Sequence, residues 1–207
     1  GKNTVNETPA RPVARPGLVL ALLAFGQFMT AIDFDIVFVA LPEIGRQLDF
    51  SAQSLQAVVS AYTVVFGGFL LLCGRAADRL GARRMFALGS ALFGVASLAA
   101  GLAASPAVLV VSRAVQGLGA ALLTPSTLKL ITNEFAEGPS RNRAMAVWGA
   151  AGASGAAVGA LGGGVLTMVI RIAFGFPGGV GIAILIMNAL APVLDNRFAP
   201  KIYGRGR

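Results

Sequence analysis

Six long apolar runs constrain this chain more than any other feature: residues 18–41, 55–73, 85–104, 107–131, 144–170 and 172–194. About 20 apolar residues in a helix cross the hydrocarbon core of a bilayer. Within that core only helices and closed barrels satisfy their own backbone hydrogen bonds. The runs are too long for barrel strands and do not alternate. They predict an all-α, polytopic membrane helix bundle of about six transmembrane helices. Composition points the same way. The chain is 56% hydrophobic and 13% charged, against about 45–50% and about 25% in soluble domains, and a surplus of that size calls for lipid as the solvent.

The charges lie between the runs. Residues 1–17 are polar, carry Pro9, Pro12 and Pro16, and read as a disordered tail with Lys2, Arg11 and Arg15. Arg75, Arg79, Arg83 and Arg84 fall after the second run, Arg141 and Arg143 after the fourth, and Arg197, Lys201, Arg205 and Arg207 after the sixth. The intervening connections hold only Arg46 and Arg171. Under the positive-inside rule this alternation puts both termini in the cytoplasm and requires an even number of spans. The same placement argues against nucleic acid as the partner of the basic residues and makes the bilayer the expected one. There is no histidine, and Cys73 is the only cysteine. That excludes an internal disulfide and a thiol metal cluster, and removes the commonest general base. Gly162-Gly163-Gly164 is no phosphate loop, since no Lys-Ser/Thr follows it. No catalytic residue, metal site or enzyme activity is expected.

Several polar groups sit where they are costly. Asp33 and Asp35 interrupt the first run, and Arg113 the fourth. Ionisable residues inside a span usually serve function. The two acids, two positions apart, point about 200° away from each other and cannot share one cavity. Asp33 either faces a pathway and titrates, or sits near the outer interface within reach of water. Arg113 either finds a partner inside the protein or snorkels to an interface. The second connection reads Gly74-Arg-Ala-Ala-Asp78-Arg79-Leu-Gly81-Ala-Arg83-Arg84. Its glycines permit a tight reversal, and Asp78 can pair with the arginines or with a neighbouring helix end to latch a cytoplasmic gate. The alternative is a solvated loop. In the fifth run Gly152, Gly155, Gly159 and Gly163 share one helix face and let another backbone approach closely.

These strings resemble the signatures of the major facilitator superfamily, in its fourteen-helix drug:proton antiporter branch. Gly74–Arg84 is similar to the loop signature between helices two and three. Asp33-Phe-Asp35-Ile-Val-Phe38-Val-Ala-Leu-Pro42 is similar to the first-helix signature, with Asp35 and Phe38 where threonine and asparagine are usual. Arg113-Ala-Val-Gln116-Gly117-Leu-Gly119-Ala120 matches the fourth-helix signature, and Gly155 to Gly164 the antiporter signature of helix five, with Ala160 in place of proline. The resemblance covers residues 18–166. It implies one half of a proton-coupled exporter of small amphipathic molecules in a bacterial-type plasma membrane, with Asp33 and Arg113 coupling protons to transport. The energy source would be the proton gradient, with no cofactor. Such a half would need a second half or a second copy to enclose a pathway.

From about residue 167 the resemblance changes. Val169-Ile170-Arg171, Pro177-Gly178-Gly179, Ala183, Asn188 and Pro192-Val-Leu-Asp195 are similar to the last membrane helix and tail of the D subunit of Rnf-type electron-transport complexes. This implies a junction near residue 167, with 167–207 forming a terminal helix and basic cytoplasmic tail. A fusion, a frameshift or an engineered chimera would each produce it. The flavin-bearing Ser-Gly-Ala-Thr type motif of that subunit is missing, so no flavin is expected. The competing readings are therefore an exporter-like bundle, a membrane subunit related to an electron-transport complex, and an inactive fusion or fragment.

Overall fold

A computed structural model describes residues 16–174 as five helices: α1 (Pro16–Gln47), α2 (Ala52–Leu80), α3 (Ala82–Gly101), α4 (Pro106–Glu134) and α5 (Pro139–Phe174). Each is long and apolar enough to cross a membrane, and the chain is an integral membrane protein built as a polytopic helical bundle. The predicted sixth span, 172–194, lies outside the described residues apart from 172–174, which continue α5.

Local chemistry explains the helix ends. Ser51 caps α2, its hydroxyl accepting from the Ser54 backbone N–H at 3.1 Å. Ser105 caps α4 in the same way, accepting from the Val108 N–H, with Pro106 in the first turn where its missing N–H costs nothing. Proline serves likewise at the starts of α1 and α5. Pro16 and Gly17, expected in the tail, therefore belong to α1.

Three boundaries differ from the sequence expectation. The first run was expected to end at Pro42, yet α1 continues to Gln47 with Pro42 inside it. Proline removes one helical hydrogen bond and bends a helix without having to stop it. Here the residues beyond it are held by packing, with Ile44 buried in the same cluster as Ile32, Ile36, Val37 and Ala40. The second connection is not a loop: α2 runs to Leu80 and α3 starts at Ala82, leaving only Gly81 between them at φ +96°. Arg171 was expected in a connection, but α5 runs unbroken through residues 167 and 171 to Phe174. No glycine or proline occurs from Val165 to Phe174 to interrupt it.

The helices fall into two packed groups. α1 lies along α5, and α4 lies between α2 and α3. The α1–α5 seam is built on glycine. A methyl at Gly155 would come within 2.6 Å of the Phe28 carbonyl oxygen, at Gly159 within 2.8 Å of the Ile32 carbonyl oxygen, and at Gly163 within 2.5 Å of the Ile36 side chain. Contacts advance by four residues on both helices, so the two run parallel with their backbones nearly touching. In the other group, Gly117 abuts the Tyr62 carbonyl of α2 and Gly119 the Phe93 backbone of α3. These glycines of α4 admit a different neighbour on each side. All the described helix ends near Arg75, Arg79, Arg83, Arg84, Arg141 and Arg143 lie at one end of the bundle, its basic end.

Candidate functional site: a buried ion pair between the two helix groups

The groups meet through a polar contact. Asp33 of α1 and Arg113 of α4 are each 1% exposed, and Gln116 is 0% exposed. Arg113 Nη1 donates to Asp33 Oδ2 at 2.5 Å and to Gln116 Oε1 at 2.9 Å. Gln116 Nε2 in turn donates to Asp33 Oδ1 at 2.7 Å. Arg113 and Gln116 are three apart on α4 and so share a face, and together they occupy both carboxylate oxygens. The aromatic ring of Tyr62 closes the site from α2, with the Arg113 Cζ 4.5 Å from its centroid. Arg113 therefore does not snorkel, and Asp33 is sealed from solvent. Apolar walls complete the enclosure: Ile32, Ile36 and Val37 of α1 cluster with Val58 and Leu109, and Tyr62 clusters with Phe93, Ala120 and Leu123.

Burying two charges is costly unless their pairing and hydrogen bonding are good, and removing one member of such a pair costs about 3–5 kcal/mol. This site meets those conditions except at Arg113 Nε, which is buried without a hydrogen-bond partner. Chemically it sets a buried acid against a buried cation between apolar walls. Asp35 lies on the other side of α1, half-buried, with its Cβ in the neighbourhood of Gly159 of α5. No group of acidic or cysteine side chains suited to a metal ion occurs among the described residues.

The basic end holds the remaining sequence candidates. Asp78 sits on the last turns of α2 and pairs with Lys129 of α4, not with the arginines around it in sequence. Arg83, in the first turn of α3, pairs with Glu134 at the end of α4. Arg79 and Arg84 are exposed. Gly74, expected to serve a reversal, is inside α2 beside Pro125 of α4, and Gly81 alone makes the turn. Arg141 folds back onto α4, donating to the carbonyls of Thr132 at 2.9 Å and Phe135 at 3.2 Å. The fifth-helix glycines Gly152, Gly155, Gly159 and Gly163 all face α1, Gly152 meeting Gln27, and Gly164 follows in the same helix.

The Asp78–Lys129 pair is partly exposed, with side-chain accessibilities of 65% and 32%. Exposed pairs are worth about 0–1 kcal/mol. Lys129→Ala is accordingly expected to leave detergent thermal stability within about 1 kcal/mol of the parent, and the exchange Asp78→Lys with Lys129→Asp to match the parent. A large loss for Lys129→Ala alone would show a structural role that the exposure does not suggest.

Sequence reasoning missed Tyr62. Its one signal is a hydroxyl-bearing ring in the largely apolar stretch Ala57–Phe66, which Ser60 and Thr63 also interrupt.

The Major Facilitator Superfamily model matches residues 23–206. The puromycin resistance protein pur8 of Streptomyces alboniger is 48% identical over 151 residues, covering 73% of this chain and 30% of that protein. The cephamycin export protein CmcT of Amycolatopsis lactamdurans is 41% identical over 185 residues, covering 86% and 38%. The multidrug efflux pump LfrA of Mycolicibacterium smegmatis is 37% identical over 164 residues, covering 78% and 32%. The chain thus spans about a third of the length of the curated relatives it matches.

Proposed function

Since the chain belongs to the Major Facilitator Superfamily, we propose that it is a proton-coupled exporter bundle for small amphipathic molecules, with Asp33 as the group that takes up and releases the proton. The observation that carries this reading is the Asp33–Arg113 pair, a buried acid held by a buried cation across the seam between two helix groups. When Asp33 is ionised, the pair draws α1 and α4 together. When it is protonated, the attraction is lost and Arg113 is left without its counter-charge. A change of charge at one atom thereby becomes a change in how the two groups prefer to sit, as coupling between a proton and a conformation requires. Export fits the names of the relatives, two of which are an export protein and an efflux pump.

Family members enclose the substrate between two pseudo-symmetric halves. A second half or a second copy would supply the wall facing this bundle. The basic end would lie on the cytoplasmic side of a bacterial plasma membrane, as the positive-inside rule requires, and the proton gradient would drive the cycle without a cofactor.

The test is exchange of a lipophilic dye for protons in proteoliposomes with an imposed pH gradient. The expected result is dye movement that collapses when the gradient is dissipated, and falls to the level of empty vesicles for Asp33→Asn and for Arg113→Ala. Movement that survives both substitutions would overturn the assignment.

A further inference from the structure

Tyr62 lies against the guanidinium of Arg113, and neither the acid nor the glutamine accounts for that contact. The ring is 5% exposed and is held on several sides. Its backbone carbonyl is pinned against Gly117, Phe34 packs at 5.6 Å between ring centroids, and Phe66 stacks at 6.1 Å. Only Nη1 of Arg113 is given to Asp33 and Gln116, while Nε has no hydrogen-bond partner and the carbon joining the nitrogens lies over the ring face. A cation over an aromatic face gains about 0.5–1 kcal/mol when exposed and about 2 or more when desolvated. This contact is of the desolvated kind.

We propose that Tyr62 is a positioning residue for the coupling site: its ring is the second partner of Arg113, holding the cation in place when Asp33 is neutral. The proposal rests on the reading that Asp33 titrates. Its physical basis is a comparison of two states. With Asp33 charged, Arg113 has a counter-ion, a glutamine oxygen and the ring. With Asp33 neutral, the counter-ion is gone and the ring and the Gln116 oxygen are the attractions that remain, so the ring's share in holding the cation grows. Among the described residues, no other titratable side chain competes for the guanidinium. α2 brings only Tyr62 to this level, α5 carries no ionisable residue between Arg143 and Arg171, and Asp35 on α1 lies against Gly159. The charged residues of α3, Arg83 and Arg84, are in its first turn at the basic end.

The experiment is a stability box in detergent, comparing Tyr62→Leu and Tyr62→Phe in the parent and in Asp33→Asn, which stands in for the neutral acid. The expected result is a drop of a few degrees in Tm for Tyr62→Leu in the parent and at least twice that drop in the Asp33→Asn background. Tyr62→Phe, which keeps the ring, stays within a degree of its background in both. Equal decrements for Tyr62→Leu in the two backgrounds would overturn the proposal, as would a Tyr62→Phe loss as large as that of Tyr62→Leu. Recovery of both single variants but not of the Asp33→Asn/Tyr62→Leu double variant would be the supporting result in its extreme form. Tyr62→Met takes the place of Tyr62→Leu should the latter not be recovered from membranes. The box does not depend on transport. If it succeeds while Asp33→Asn leaves dye–proton exchange intact, the coupling role of Asp33 fails and the Tyr62–Arg113 contact stands.

Discussion

Arg113→Met is expected to destabilise the protein by about 3–5 kcal/mol, and adding Asp33→Leu is expected to recover most of that loss. The single substitution leaves a carboxylate 1% exposed between apolar walls, with only Gln116 to bond it. The double substitution removes both charges and fills the site with side chains of similar bulk. The price of a buried charge is set by what remains unpaired, so the two changes should be strongly non-additive. Thermal unfolding in detergent gives the comparison directly, with the parent, both single variants and the double variant on one scale. The double variant is expected to be folded and inert, retaining monodisperse recovery while showing no proton-linked dye movement. A double variant as unstable as the sum of its parents would mean that the site's polar groups are held by something other than each other.

The second large effect is expected at the α1–α5 seam. Gly155→Val should abolish recovery of folded protein, or lower Tm by well over 10 degrees, because its Cβ alone would sit 2.6 Å from a backbone oxygen that cannot rotate away. Overpacking a well-filled contact commonly costs about 1–3 kcal/mol and occasionally more, and here the obstacle is a main chain. Relief would require the helices to part along their length, since Gly159 and Gly163 hold the next contacts in the same register. Gly149→Val, on the open side of α5 with nothing within 4 Å of its Cβ, is the matched control and should be tolerated. Size-exclusion profiles of the two variants decide the matter. Loss of both would point to helix propensity as the cause, and loss of Gly155→Val alone to the seam.

The parts of this molecule that were legible in the sequence are those set by single-helix physics. The positions of the first five spans followed from hydropathy, though not their ends, and the shared face of Gly152, Gly155, Gly159 and Gly163 followed from helical spacing. What escaped depends on contacts between helices. Pro42 reads as a terminator when judged by its own backbone, but Ile44 beyond it is anchored in the core, and tertiary packing overrode the local signal. The stretch from Gly74 to Arg84 reads as a loop because it is charged and contains glycine. It is helical on both sides of Gly81 because the basic side chains reach water from helix ends without needing a loop. Asp78 had four arginines nearby in sequence, and its partner proved to be Lys129, brought to it by the packing of α2 on α4. Tyr62 had no motif to mark it. Its meaning came only when Gly117 allowed α2 and α4 to approach closely enough for the ring to lie on Arg113.

Gly81 has a mechanical consequence. A single residue spans about 3.5 Å of extended chain, less than the 5.4 Å pitch of one helical turn. α3 therefore has no slack with which to slip a turn along α2, in either direction, without unwinding an end of one of them. The two spans form a hairpin whose one-residue heel bars either leg from sliding a full turn past the other.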